Sequence, residues 1–206
     1  MAETMVQTPW GYAALIEGGK LPPVITPAEL REAAGGRFGP ETVGVSTVLD
    51  GVSAAIRDAC GWHVTPQLTV EESAQGPGRV IALKTLLAES VEKVSERGRE
   101  LSEGEYEFAR NGLLRRSCWR SWPAEWNSVT VRYVSGIPQG MASALAMVAA
   151  QVASNALAAP AGVRSEQAGN VTISYNQTAS GVSGGIRLLD TDLAMLSPYV
   201  IGEVLS

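Results

Sequence analysis

The chain has 206 residues, which is enough for one good core or for a core with a small subdomain. Hydrophobic residues make up 45% of it and charged residues only 18%, so the composition favours neither wholesale disorder nor a membrane protein. The formal net charge of −5 argues against a general phosphate-binding protein, because the affinity of such proteins comes from lysine and arginine.

Residues 1–44 form an N-terminal segment, rich in glycine and proline, with one predicted short helix. Thr26-Pro27-Ala28-Glu29 is a capping box with proline at the first helical position, and Gly35-Gly36 ends the helix. Met1–Met5 lacks the basic and apolar regions of a signal peptide. The segment could pack on the core or reach a neighbour, and its pattern leaves both possibilities open.

Two longer segments have the spacing of an amphipathic helix. Apolar residues recur every three to four positions in Val45–Ala59, which Gly61 ends, and again in Gln139–Ala158. Each segment has one apolar stripe, so we expect the two helices to pack together as a helical core over residues 45–62 and 137–160. The second helix is mostly alanine with polar interruptions, which argues against a transmembrane span.

Between the two helices, residues 63–136 are predicted to form an inserted β subdomain. The expected strands are Val64–Val70, Arg79–Leu83, Ser90–Val94, Glu105–Phe108, Leu113–Arg116 and Ser128–Val134. The last of these alternates apolar and polar residues most clearly, which indicates one buried face. Glu96–Arg99 and Ala109–Gly112 have the composition of hairpin turns.

Residues 161–206 are predicted to form a C-terminal arm that docks on the chain's own core or on a neighbouring subunit. The arm is polar and rich in glycine and serine, with one strand-like run at Val171–Tyr175 and a short helix from Asp190, as its N-cap, through Leu196. The predicted fold class is therefore α+β, a small antiparallel helix bundle with an inserted β-rich subdomain and an extended C-terminal arm.

The sequence offers no assembled catalytic or metal-binding constellation. Its single histidine, His63, has no ligand partners at metal-site spacing, so an ordinary structural histidine is expected. Two cysteines, Cys60 and Cys118, are too few for a disulfide scaffold and are expected to be reduced, partly buried thiols. Glu71-Glu72 and Glu103-Gly104-Glu105 lie in polar, turn-like settings, where we expect solvated carboxylates without a raised pKa. We therefore predict no enzyme activity, no metal and no cofactor.

One cluster could still bind a ligand. Residues 115–126 combine three arginines with three tryptophans, which could form a stacking platform for a single-stranded nucleic acid or a carbohydrate. The alternative is a loop whose tryptophans cover one end of the sheet while its arginines are solvated. We favour the second interpretation, because no further basic patch extends the cluster.

The order of these elements resembles that of the head-to-tail connector proteins (adaptor or head completion proteins) of long-tailed bacteriophages. The similarity lies in Leu49–Val64, where a helix ends in a Cys-Gly-Trp turn before a β-rich insertion, and in the early strand Arg79–Leu83. It continues through the closing hairpin between Asn111 and Gly136, the helix after Pro138, and the tyrosine-bearing tail. Together these segments cover about residues 49–199.

The resemblance implies a structural virion protein that is made in the bacterial host cytoplasm and works in the head–tail connector, or neck, without a membrane. Such proteins form rings, usually twelvefold, beneath the portal; the ring extends the DNA channel and docks the next head completion, stopper or tail protein. Genomic DNA would pass through the lumen without sequence-specific binding. Small residues on the second long helix allow close approach of a neighbour. The proposed interface residues are Ser143, Ala146, Ala150, Val171, Ile173, Tyr175, Leu196 and Tyr199.

Overall fold

The structure is a computed structural model that describes residues 3–158 and 186–202 and, between them, the backbone of four short strands. The chain forms two compact units. The β unit contains Met1–Leu21, Gly61–Pro138 and Ile201–Ser206, and the helical unit contains Pro22–Cys60 and Gln139–Val200.

The described part of the β unit has nine strands in two antiparallel sheets. Their bounds are β1 Glu3–Gln7, β2 Tyr12–Glu17, β3 Leu68–Ala74, β4 Val80–Ala82, β5 Ala88–Glu96, β6 Arg99–Glu100, β7 Tyr106–Ala109, β8 Leu113–Arg116 and β9 Val129–Ser135. One sheet has the strand order β1-β2-β3-β9-β5-β6 and the other has the order β4-β8-β7. Side chains from both sheets share one core, to which Val70, Val131 and Tyr133 contribute from the larger sheet and Ile81 and Leu114 from the smaller.

The β1–β2 hairpin is an addition to what the sequence predicted for residues 1–44. β2 joins the larger sheet by pairing with β3, with Tyr12 opposite Glu72. Tyr12, Ala14 and Ile16 are at most 3% exposed and belong to the core, and Ala13 on the other face is only 8% exposed. Because β2 is buried on both faces over this stretch, it lacks the apolar–polar alternation by which a half-buried strand is recognised.

The strand predicted at Val64–Val70 was placed wrongly, since β3 runs from Leu68 to Ala74. β3 pairs with β9 in unbroken register, from Leu68 opposite Ser135 to Ala74 opposite Val129. The partner strand therefore determines these limits, and it draws the polar residues 71–73 into the sheet. The alternation of apolar and polar residues did predict β9, because its apolar members Val129, Val131 and Tyr133 are fully buried.

Both predicted hairpin turns are present. Between β5 and β6, Arg97 and Gly98 have φ of 51° and 78°, which are the two left-handed positions of a tight two-residue turn. Between β7 and β8 the loop has three residues and ends at Gly112, whose φ is 82°. A Cβ at Gly112 would lie 2.7 Å from the carbonyl oxygen of Thr85, so glycine is required there for space as well as for its backbone conformation.

The described part of the helical unit has four α-helices: α1 Pro27–Ala33, α2 Val45–Cys60, α3 Ser143–Ala158 and α4 Asp190–Leu196. With the antiparallel sheets, these helices give the α+β fold class that the sequence predicted. The capping box of α1 is confirmed, since the Glu29 amide donates to Thr26 Oγ1 and the Thr26 amide donates to the Glu29 carboxylate. Within this unit α2 packs against α3, and α4 packs against both.

Two helix starts differ from the prediction. The segment Gln139–Met141 is a 3₁₀ turn and α3 begins only at Ser143, because Gly140 is a poor residue for a first helical turn. At α4 the cap is Leu189, whose amide donates to the carboxylate of Asp192 at 2.9 Å; Asp190 is the first helical residue. The helices themselves lie where the apolar spacing placed them.

Four strands with described backbone lie between α3 and α4. β10 Ser165–Ala168 pairs with β11 Val171–Ser174, and β12 Gln177–Ala179 pairs with β13 Val182–Ser183, both antiparallel. β11 covers most of the predicted run 171–175, and Tyr175 lies outside the described residues. Over the described ranges, no helix has both the length and the apolarity that a bilayer crossing requires.

Candidate interaction surfaces

His63 is the centre of a buried polar network in the β unit. Its side chain is inaccessible to solvent, with Nδ1 2.8 Å from the hydroxyl of Tyr12 and Nε2 3.1 Å from the carbonyl oxygen of Ser135. The His63 amide also donates to the Tyr12 hydroxyl, at 3.0 Å. These bonds tie β2 and β9 to the residues that follow α2, as expected of a structural histidine. Among the described residues, no three His, Cys, Asp or Glu side chains cluster as metal ligands would.

Glu72 corrects the expectation that the Glu71-Glu72 pair is solvated. Glu71 is exposed, but Glu72 is only 3% exposed, because its side chain lies on the same face of β3 as Val70. Its Oε2 accepts hydrogen bonds from the Tyr133 hydroxyl at 2.7 Å and from the Lys84 amide at 2.9 Å. Burial raises the pKa of Glu72, and these two hydrogen bonds oppose the rise.

Glu72→Gln should therefore remove a pH dependence of stability. The folded protein holds the Glu72 proton more tightly than the unfolded chain, so stability falls as the pH rises from about 4.5 through the raised pKa. Glutamine does not ionise and keeps an oxygen for the two donors. In urea unfolding at a series of pH values, the stability of the variant relative to wild type should increase with pH. A difference that stays constant with pH would contradict this account.

The other acidic pair lies at the surface, as expected, but it is not free of interactions. Glu105 forms two hydrogen bonds with the guanidinium of Arg99, at 2.9 and 3.1 Å, and accepts a third from the Ser102 amide. The Arg99 pair is the main reason that the pKa of Glu105 is lowered, to about 2. Glu103 is exposed.

The two cysteines differ in exposure, although the sequence predicted two partly buried thiols. Cys60, the last residue of α2, is fully buried, and burial raises its pKa to about 11. Cys118 is exposed in the loop after β8. Both are free thiols.

The Trp/Arg cluster at residues 115–126 does not form one stacking platform. Arg116 and Trp122 are each 2% exposed and pack together, with the Arg116 guanidinium 5.6 Å from the ring centroid. Arg116 also pairs with Glu96 at 2.9 Å, and Trp122 Nε1 donates to the Leu114 carbonyl at 3.2 Å. These two members therefore belong to the core of the β unit.

The remaining tryptophans of the cluster, Trp119 and Trp126, are 85% and 83% exposed. Arg115 pairs with Glu107 across the outer face of the smaller sheet. Arg120 is exposed and meets no carboxylate among the described residues. The structure thus divides the cluster into a buried half that stabilises the fold and an exposed half, and the interpretation of a loop that covers one end of the sheet accounts for the buried half.

α3 presents a row of uncharged side chains to solvent. Residues 139–158 contain no charged residue. Along the outer row, Ser143 and Gln151 are exposed and Met147 between them is 66% exposed. Beside this row, Ala33 of α1 and Ala150 help to line a shallow depression of about 190 Å³. The exposed face of α3 thus carries no charge, and Met147 is the apolar member at its centre.

The predicted interface residues have different placements in the structure. Ser143 is exposed and Ala146 half-buried on α3, whereas Ala150 is 7% exposed. Leu196, on α4, is 1% exposed, so it contributes to the interior of the chain's own helical unit, and Tyr199 is half-buried. Val171 and Ile173 lie in β11, but their side chains, like all of Tyr175, are outside the described residues. α3 therefore brings Ser143, Ala146 and Ala150 together, and it adds Met147, which the sequence did not single out.

No protein-family model matches the chain, and no curated protein matches it. Among solved structures, it is similar to a chain in the structure titled "Neck of empty GTA particle computed with C6 symmetry", where GTA stands for gene transfer agent. The TM-score is 0.51 at 15% sequence identity, and the match covers 94% of this chain and 97% of that one. At this identity the likeness concerns the fold alone. The chain therefore shares its fold, over nearly its whole length, with a component of the neck of a phage-like particle.

Proposed function

We propose that this protein is a structural component of the neck of a phage-like particle, where it forms a ring between the portal and the tail. The observation that carries the proposal is the fold match to the GTA neck chain, which spans 94% of one chain and 97% of the other. The element order from α2 through the β insertion to α3 supports the same assignment.

A ring requires each copy to contact its neighbour through two different surfaces. The outer row of α3 is suited to one of them, because it is uncharged, and the small residues Ser143 and Ala146 allow close approach of a neighbouring element. The structure of the GTA neck was computed with C6 symmetry. Sixfold symmetry is compatible with rings of six or of twelve copies, and the resemblance to phage connectors favours twelve.

In this position the ring would extend the DNA channel below the portal and dock the next head completion, stopper or tail protein. A net charge of −5 suits a conduit that does not retain DNA, because tight backbone binding needs an excess of lysine and arginine. The protein would be located in the virion and would act without catalysis or a cofactor. DNA would pass through the lumen without sequence-specific contacts.

Mass measurement of the purified protein, alone and mixed with the portal protein of the same particle, tests this function. We expect a closed ring, or a monomer that becomes a ring on the portal, together with a stable complex. A strict monomer that ignores the portal and binds oligonucleotides with a steep salt dependence would overturn the proposal in favour of a nucleic-acid-binding module.

A further inference from the structure

The exposed half of the Trp/Arg cluster forms a defined surface in the β unit. The guanidinium of Arg79 lies 4.5 Å from the ring centroid of Trp119, and Arg120 is the next residue along the loop. We call Arg79, Trp119 and Arg120 the Trp119 surface. Neither of its arginines pairs with a carboxylate among the described residues, and Arg79 Nε is buried without a hydrogen-bond partner. An indole that is 85% exposed thus lies against the guanidinium of Arg79, and an exposed arginine follows it in the chain.

The loop that carries Trp119 is held in place from both sides. The Ser117 amide donates to the Glu105 carbonyl at 3.0 Å, and the Trp122 amide donates to the Gly78 carbonyl at 2.8 Å. Between these anchors, Cys118 and Trp119 both adopt left-handed backbone conformations, with φ of 55° and 60°. They are the two central residues of a turn in which the Arg120 amide donates to the Ser117 carbonyl oxygen at 3.2 Å. This turn presents the indole at the surface.

The charges around this surface select the kind of partner. Other arginines of the β unit already pair with carboxylates: Arg97 with Glu125, and Arg115 with Glu107. A nucleic-acid strand would gain here only two cations that lack a carboxylate partner among the described residues, so the charge balance disfavours phosphate backbones. Carboxylates match the guanidinium groups of Arg79 and Arg120, and tryptophan and arginine are the residues that most often dominate protein–protein binding energy.

We propose that the Trp119 surface docks an acidic segment of a different protein of the same particle, with Trp119 as the apolar anchor and with Arg79 and Arg120 binding its carboxylates. This inference rests on the proposed neck function, because that function supplies the neighbouring proteins. A second copy of this chain is not the favoured occupant. One surface of the ring contact is assigned to α3 in the helical unit, and the ring mass measured below shows whether the Trp119 surface, in the β unit, forms the other.

The test uses heads and tails purified from particles that lack this protein. Full-length wild-type protein and the Trp119→Ala variant are each mixed with the heads or with the tails, and the bound fraction is measured by co-sedimentation. We expect Trp119→Ala to lose roughly 30-fold in affinity for one of the two partners, the loss typical of an interface hot spot, while ring mass stays unchanged. Arg120→Glu should lose binding as well, whereas Arg120→Lys should retain most of it.

Trp126→Ala is the matched control, because Trp126 is equally exposed but is not one of the three residues that make up the surface. Wild-type protein that binds neither heads nor tails would contradict the neck function itself. If the wild-type protein binds and Trp119→Ala keeps the same affinity, or if Trp126→Ala loses as much affinity as Trp119→Ala, the docking surface would be overturned while the neck function stands. A Trp119→Ala variant with altered ring mass would assign the surface to contacts between copies. If the wild-type protein binds a single-stranded oligonucleotide measurably and Trp119→Ala does not, the Trp119 surface would be assigned to nucleic acid.

Discussion

Arg116→Ala should lower the free energy of unfolding by about 3 kcal/mol, the cost of breaking a largely buried ion pair. Arg116 is 2% exposed, and its guanidinium donates to the carboxylate of Glu96 at 2.9 Å and to the carbonyl oxygen of Glu105. Alanine would leave both acceptors without this donor and would uncover the face of Trp122 that Arg116 now covers. The estimate lies at the low end of the range for buried pairs, since Glu96 and Glu105 retain some access to water.

Arg115→Ala is the control for this prediction. Arg115 precedes Arg116 on β8 and also pairs with a glutamate, Glu107, but both side chains are about half exposed. Its removal should cost at most about 1 kcal/mol, as is usual for surface ion pairs. Urea unfolding of the two variants and wild type measures the difference. Equal effects would mean that the position of Arg116 in the core contributes nothing beyond its charge.

The elements with strong local signals could be predicted from the sequence. The helices α2 and α3 have apolar stripes, and the capping box at Thr26 determines the start of α1 without help from distant residues. β9 was recognisable because one of its faces is buried and the other is not. In each case the information lies within a few residues of the element.

The parts that could not be predicted depend on pairing between distant segments. β2 is buried on both faces over Tyr12–Ala14, so its pattern does not distinguish a strand from other buried structure. β3 contains Glu71-Glu72-Ser73, which is a turn-like composition, and only its register with β9 makes it a strand. The burial of Glu72 follows from that register, and the sequence alone gives no reason to bury a carboxylate.

The division of the Trp/Arg cluster shows how one local rule could have gone further. Neighbouring residues of a strand point to opposite faces, so Arg115 and Arg116 on β8 cannot both be solvated at a sheet that is buried on one side. The sequence predicted β8 with its correct limits, yet the two arginines were treated as equivalent. The alternation of β8, applied to charged residues, assigns one of them to the core. It does not tell which acidic partners compensate for its burial.

Met147→Glu should prevent ring formation while leaving the monomer folded. Met147 lies at the centre of the uncharged outer row of α3 and is 66% exposed, so the folded chain can accommodate a charge there. If this row is the contact between copies, each contact would bury an unpaired carboxylate, which weakens association by roughly 100-fold or more. Mass photometry or native mass spectrometry would then show monomers at concentrations where the wild-type protein forms rings, and circular dichroism should be unchanged.

Met5→Glu provides the comparison, because Met5 is also exposed, at 36%, but lies on β1 in the β unit. Met5→Glu adds the same charge to the same chain. If the ring survives Met5→Glu but not Met147→Glu, the contact lies on α3, and a general effect of added negative charge is excluded. Rings that persist in Met147→Glu would remove the outer row of α3, and with it Ser143, from the interface. The ring contact would then have to be sought among the other exposed apolar residues of the helical unit, of which Leu193 and Met195 on α4 are examples.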